Sequence, residues 1–254
     1  MSTPSTLTHP STKRMQLQAC VNGARDAAEH PWLSADATVV ADDAARAIVA
    51  GAREIHVHAK DSRGYDSIAP DDVARWMRAL RETCRGVPLQ LIVSSWAEPK
   101  LEQRLAAIES WTELPDSVCL NWHESGADEL ATLLITRGIK VEAGLWDAGG
   151  FEMWKRSPVR GDCARVLIGL PDEPRAVVRD HAEAMVAHVE IEEPGMPILL
   201  HGEEGSAWSV FDLAVELGLD ARIGLEDTLR LPDGTPAPGN AALIRAAVAR
   251  MRRV

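Results

Sequence analysis

Met15-Gln16-Leu17-Gln18-Ala19-Cys20-Val21-Asn22-Gly23-Ala24-Arg25 is the stretch that decides between two architectures. It begins as an apolar run over residues 15–21 and then turns. An open, doubly wound sheet that binds a dinucleotide carries G-x-G-x-x-G after its first strand, and Val21-Asn22-Gly23-Ala24-Arg25 does not. Seven further short apolar runs follow, at 54–58, 89–95, 117–121, 139–145, 164–170, 197–202 and 221–227. Amphipathic runs separate them, at 38–51, 69–85, 100–110, 125–137, 148–156, 173–190 and 205–217, with a last one at 238–252. Ala69-Pro70-Asp71-Asp72 puts proline and acids into a first helical turn, while Gly138 and Gly218 follow helices as C-terminal caps do. Strands alternating with helices imply a parallel sheet, and eight such units imply closure. The expected fold is α/β, a single (β/α)8 TIM barrel, for which roughly 250 residues are usual. The barrel domain is expected over 15–254, after a disordered tail at 1–14 rich in Ser, Thr and Pro.

The 254 residues are 46% hydrophobic with a formal net charge of −11, which suits a globular enzyme and argues against a basic nucleic-acid-binding face. No run approaches the ~20 apolar residues that span a bilayer. Cys20, Cys84, Cys119 and Cys163 have no C-x-x-C spacing, so buried free thiols and a cytoplasmic setting are expected.

Ile55-His56-Val57-His58 carries the chemistry. Residues two apart in a strand share a face, so both imidazoles point into the barrel and Ile55 and Val57 point out towards the helices. Paired buried imidazoles leave polar nitrogens without partners unless a cation or a hydrogen-bond acceptor meets them. Gly224-Leu225-Glu226-Asp227 closes the eighth apolar run. Strands two and eight flank strand one in a closed barrel, and barrel sites lie at strand C-termini. His56, His58 and Glu226 would therefore make a set of two imidazoles and one carboxylate, a catalytic type of zinc site with an open position.

These motifs, together with Ala19-Cys20-Val21-Asn22-Gly23-Ala24, Gly51 to Asp61 across strand two, Val141-Glu142 and Arg222 to Asp227, resemble the β-keto acid cleavage enzyme family, typified by 3-keto-5-aminohexanoate cleavage enzyme. The resemblance runs over nearly the whole chain after the tail. It implies one Zn2+ per chain on His56, His58 and Glu226. It also implies acetyl-CoA as co-substrate, and conversion of a β-keto acid to acetoacetate and a new acyl-CoA. It makes Asp227 the general base, Arg222 the group orienting reacting oxygens, Glu142 a polar active-site residue and Ser94 or Ser95 a substrate contact. A homo-oligomer, dimer or tetramer, is implied as well.

The sequence departs from the family in two places. Ser94-Ser95-Trp96-Ala97 lacks the glycine usual after strand three, and Lys60, in place of a frequent arginine, is read as a structural cation for which Asp61 is one available partner. Arg25 stands where the relative acting on an amino-bearing acid has an acidic residue. A cation there favours an anionic or polar distal end on the substrate, unless Asp26 or a loop glutamate claims it. Asn121 and His123 follow strand four as further substrate-binding candidates. His201 is either near the site or a core histidine, and Trp122, Trp146 and Trp208 fall near strand ends. Two other readings stand beside this one, a metal-dependent hydrolase of the amidohydrolase type and a metal-binding barrel without activity. The first expects further histidine ligands on strands five and six, where this chain has Glu142 and Gly169.

Overall fold

A computed structural model describes residues 15–253 of the chain. The tail expected at 1–14 lies outside the described residues. Eight parallel strands close on themselves in sequence order: β1 (Leu17–Cys20), β2 (Glu54–Val57), β3 (Leu89–Val93), β4 (Ser117–Asn121), β5 (Lys140–Leu145), β6 (Arg165–Leu170), β7 (Ile198–Gly202) and β8 (Asp220–Ile223). One helix follows each: α1 (Ala37–Ala50), α2 (Pro70–Thr83), α3 (Leu101–Glu109), α4 (Ala127–Thr136), α5 (Ala148–Arg156), α6 (Arg175–Glu192), α7 (Ala207–Leu217) and α8 (Asn240–Met251). The expected TIM barrel is therefore the fold.

Alternation sets two cores. Outward residues such as Ala19, Ile55, Val57, Leu91, Val118, Val141 and Val166 pack under the helices as one continuous apolar layer. Inward Cys119, Leu167 and Leu199, with Ile92 against them, form a separate small cluster inside the barrel. The barrel is thus filled by side chains, as small barrels must be. All four cysteines are buried and free. No described helix is long and apolar enough to cross a membrane.

Helix ends follow local chemistry. The Asp36 side chain accepts from Thr38 N at 2.8 Å at the start of α1, and Pro70 opens α2 with Asp71 and Asp72 in its first turn. Gly138 and Gly218 stand at φ +77° and +70° just past their helices, a conformation that glycine adopts without Cβ strain. The eighth strand is shorter than its apolar run. It ends at Ile223, because Asp227 N and Thr228 N both donate to Gly224 O and fold 224–228 into a turn. That turn carries the carboxylates over the barrel mouth.

Candidate functional site

His56 and His58 project inward from the end of β2, as alternation requires. Asn22 fixes the strand end: its Oδ1 accepts from His58 N at 2.9 Å and its Nδ2 donates to His58 O at 2.8 Å. This side chain continues the β1–β2 ladder by one step. Across the mouth, Glu226 Oε2 lies 3.6 Å from His56 Nε2, and Oε1 lies 3.6 Å from His58 Nε2. Two glycines make the approach possible. A Cβ on Gly224 would lie 1.9 Å from Cys20 O, and one on Gly23, at φ +60°, would lie 2.4 Å from Glu226 Cγ.

The far nitrogens of both rings are occupied. His56 Nδ1 donates to Gln90 Oε1 at 2.7 Å, and His58 Nδ1 donates to Asp66 Oδ2 at 2.8 Å. In the neutral rings, protonation at Nδ1 leaves each Nε2 lone pair turned to the centre. His56 Nε2, His58 Nε2 and Glu226 Oε2 are buried with no hydrogen-bond partner, and the three residues offer ligand atoms all within 4.8 Å of one another. Orphaned buried acceptors at this spacing are what a divalent cation would satisfy, so the residues fit such an ion.

Burial disfavours charge on both imidazoles and lowers His56 to about 4. On His58 burial is outweighed by Glu226 and Asp66, which raise it to about 9. Glu226 is held well below the usual carboxylate range: burial opposes ionisation, but Arg222 and then the two histidines prevail.

Arg222, on β8 beneath the turn, donates through Nη2 to Glu226 Oε1 at 2.7 Å and to Asp227 Oδ1 at 2.9 Å. Asp227 is fully buried, its Oδ2 is free of partners, and His201 Nδ1 lies 3.4 Å from its Oδ1. The structure thus brings Glu226, Asp227, Arg222 and His201 together. Ser94 directly follows β3 and is fully buried with an unpartnered Oγ. Ser95 instead gives its backbone N–H to Glu124 Oε2 at 2.5 Å. Of the two serines, only Ser94 has a buried hydroxyl left for a ligand.

Above the cluster opens a cavity of about 560 Å³ walled by Ala24, Arg25, Glu29, His58, Ile92, Trp96, Asn121, His123, Trp146, Glu203, Glu204 and Glu226. Asn121 accepts from Trp146 Nε1 at 3.0 Å and donates to Glu124 at 3.1 Å. His123 is exposed on the rim. Trp122 is buried instead, and Trp208 lies against Arg250 away from this wall.

Three sequence expectations change. Glu142 does not reach this cavity. It is the third residue of β5, its carboxylate accepts from Arg165, and it lines a second cavity of about 200 Å³ with Glu54, Arg165 and Asp220 from strand N-termini. The inward residue nearer the mouth is Gly144, where a Cβ would lie 2.8 Å from Asn121 Oδ1. Lys60 does not pair with Asp61. It bonds Asp66 Oδ1 at 2.5 Å and Gly23 O at 2.7 Å, while Asp61 binds Arg63. Arg25 reaches the cavity, but its Nη1 binds Glu29 at 2.9 Å, its Nη2 binds Glu204, and its Nε donates to Glu226 O at 3.1 Å. Loop glutamates have claimed its charge.

Sequence reasoning missed Asp66, which holds His58, Lys60 and, through Nε1 at 2.8 Å, Trp96. Nothing in the loop 59–69 marks it among three acidic and basic neighbours. It also missed Trp96, which stacks on the His58 ring with centroids 6.3 Å apart.

A family model described as beta-keto acid cleavage enzyme matches residues 14–254. The 3-keto-5-aminohexanoate cleavage enzyme of Fusobacterium nucleatum subsp. nucleatum is 24% identical over 93% of this chain and 90% of its own. Among solved structures, the apo form of ObcA superposes with a TM-score of 0.71 at 16% identity, covering 86% of this chain. The match spans 61% of the ObcA chain, so this chain covers about three fifths of that protein. A type I 3-dehydroquinate dehydratase from Clostridium difficile superposes at 0.65 with 13% identity over 95% of this chain and 94% of its own. Likenesses at these identities speak for the barrel alone.

Proposed function

The chain belongs to the beta-keto acid cleavage enzyme family, and on that premise we propose that it condenses a β-keto acid with acetyl-CoA and cleaves the product to acetoacetate and a new acyl-CoA. The observation that carries this reading is the convergence of three partnerless buried atoms, His56 Nε2, His58 Nε2 and Glu226 Oε2, beside a carboxylate held by the same arginine. Two nitrogens and one oxygen suit zinc with an open coordination position. Bound there, the cation would act as a Lewis acid on the keto oxygen and acidify the carbon between keto and carboxylate groups.

The chain's own groups do the rest. Asp227 has one oxygen fixed by Arg222 and the other, Oδ2, free to take that carbon-bound proton. Arg222 keeps its charge at any working pH and so steadies Glu226 and the base together. The buried, unpartnered Ser94 hydroxyl would donate to a substrate oxygen, and Asn121 and His123 stand on the wall that a distal chain would touch. Burial of Asp227 keeps bulk water from quenching the carbanion. With Arg25 engaged by Glu29 and Glu204, we assign the distal end as polar, and an anionic end as needing Glu204 to move away. A reducing cytoplasm suits the four free cysteines, and a dimer or tetramer follows from the family reading alone.

The test is to mix zinc-loaded protein with acetyl-CoA and a panel of anionic, neutral and amino-bearing β-keto acids. Acetoacetate and a new acyl-CoA in equal amounts are expected. Hydrolysis products without acyl-CoA, or no turnover on any member, would overturn the reading.

A further inference from the structure

Glu203 sits on the wall of the same cavity, and the groups assigned above leave it without a task. It follows β7 directly. There the chain bends hard: a Cβ on Gly202 would lie 2.9 Å from Ser206 backbone atoms, and Glu204 stands at φ +48°, a conformation non-glycine residues rarely hold. Glu204 N donates to Asp227 O at 2.7 Å, which ties this bend to the turn carrying the base. The bend sends the Glu204 side chain out to Arg25 and leaves Glu203 on the cavity wall. Glu203 N is bonded to Leu170 O, and its carboxylate has no hydrogen-bond or ion-pair partner among the described residues. A half-buried carboxylate held against a catalytic turn with no structural bond to make is a candidate for chemistry.

Resting on the reading above, we propose that Glu203 is a second general acid–base residue, serving the sulfur of the thioester co-substrate while Asp227 serves carbon. Depth separates the two. Asp227 is fully buried beside the metal-ligand cluster, whereas Glu203 is partly exposed above it, on the side from which a second substrate must enter. The carbanion forms a C–C bond to the thioester carbonyl and the C–S bond breaks. Glu203, as the carboxylic acid, gives its proton to the departing thiolate. The resulting carboxylate then takes that proton back as sulfur attacks the original keto carbon. A C–S bond forms, the C–C bond to the original acyl group breaks, and acetoacetate receives the proton held by Asp227. No net proton is gained or lost. A group in this role must exchange a proton near neutrality, and burial together with Asp227 raises Glu203 to about 7. Asp227, Glu226 and Arg222 face it from the β8 side, Arg25 from the β1 turn, and His201 and Glu204 stand on its own segment.

Two reactions of the zinc-loaded enzyme separate the roles. Exchange of the β-keto acid's α-hydrogens in D2O, without acetyl-CoA, reads carbon deprotonation; acyl-CoA formation reads the sulfur steps. Glu203→Gln is expected to keep exchange and metal content near parental while acyl transfer falls roughly 100-fold or more. Glu203→Asp is expected to recover part of that loss. Parental acyl transfer in Glu203→Gln overturns the proposal. So does a parallel fall of exchange and transfer, which would make Glu203 part of the carbon step or of the scaffold. If the parent enzyme exchanges hydrogens but forms no acyl-CoA, the acyl-transfer reading fails and the proposal falls with it.

Discussion

His58 Nδ1 stands 2.8 Å from Asp66 Oδ2, and through that bond a loop carboxylate fixes which nitrogen of His58 faces Glu226. The same carboxylate binds Lys60 and Trp96, so its position does not depend on one contact. Partners of this kind set ring orientation and ligand basicity. Asp66→Ala is expected to weaken zinc binding by roughly 10- to 100-fold. Competition against a chromophoric chelator measures it, and unchanged affinity would mean that β2 alone orients the ring.

Proton linkage follows from the same pair. In metal-stripped protein the His58 imidazole holds its proton up to about 9. A ligand imidazole must be neutral, so zinc uptake between pH 6.5 and 9 should release that proton. Apparent affinity then rises about tenfold per pH unit in this window and flattens above it. The folded value lies above the ordinary imidazole value of 6.5, so His58 stabilises the metal-stripped fold fully below pH 6.5, and that stabilisation is lost as pH rises through about 9. Calorimetry of zinc binding at pH 7.5, in two buffers of different ionisation enthalpy, counts the released proton. A count near zero would contradict the Glu226–His58–Asp66 arrangement.

Asp227 adjoins a proposed ligand yet has Oδ2 free. Asp227→Asn keeps the side-chain volume and the carbonyl that can accept from Arg222. It should retain zinc and lose both hydrogen exchange and turnover by roughly 100-fold or more. A variant that turns over normally would remove Asp227 from the base role, with His201, 3.4 Å away, as the next group to test.

Much of this was legible because it lies in local pattern. Alternation in Ile55-His56-Val57-His58 placed both imidazoles, and eight apolar runs gave the closed sheet. Glu226 was legible from its place after a strand next to β1. What stayed hidden depends on depth and on loop partners. Both Glu142 and Asp227 are inward carboxylates, but β5 runs three residues past Glu142, and that leaves it low in the barrel. The choice of Lys60 for Asp66 over Asp61 depends on how residues 61–66 turn, where Asp61 O and Tyr65 N–H do not pair but Asp61 N donates to Tyr65 O at 2.8 Å. Charge pairs formed by folding, such as Arg25 with Glu204, 179 residues apart, have no signature in either segment.

On the proposed reading, that pair decides which distal group the cavity accepts. Glu204 is half exposed, and its loss leaves Arg25 with the Glu29 carboxylate and its bond to Glu226 O. Glu204→Gly also suits the φ of +48° at that position. The variant should raise kcat/KM for a dicarboxylic β-keto acid, relative to a neutral one, by about tenfold, equivalent to about 1.4 kcal/mol. The ratio of specificity constants in parent and variant decides it. An unchanged ratio would show that Arg25 does not meet the distal group.

Glu142 provides the opposite kind of test, since two roles for it predict different losses. Its carboxylate binds Arg165, which also holds Glu54 at 2.9 Å and Asp220 at 3.5 Å. Arg165 is nearly buried and surrounded by three acids, so its charge is kept by neighbours on three other strands. Glu142→Gln preserves volume and removes one negative charge from that set. Because two acids remain, the loss should be smaller than for an isolated buried pair, about 1–3 kcal/mol of stability. Zinc content should stay parental, and turnover should change by less than about threefold, about 0.7 kcal/mol in the barrier. Denaturant unfolding and steady-state kinetics on one preparation separate the outcomes. A large drop in kcat with unchanged unfolding would return Glu142 to the active site, acting upward through its unpaired Oε1; a stability loss with intact turnover makes it a strut between β5 and β6 at the end of the barrel opposite the metal cluster.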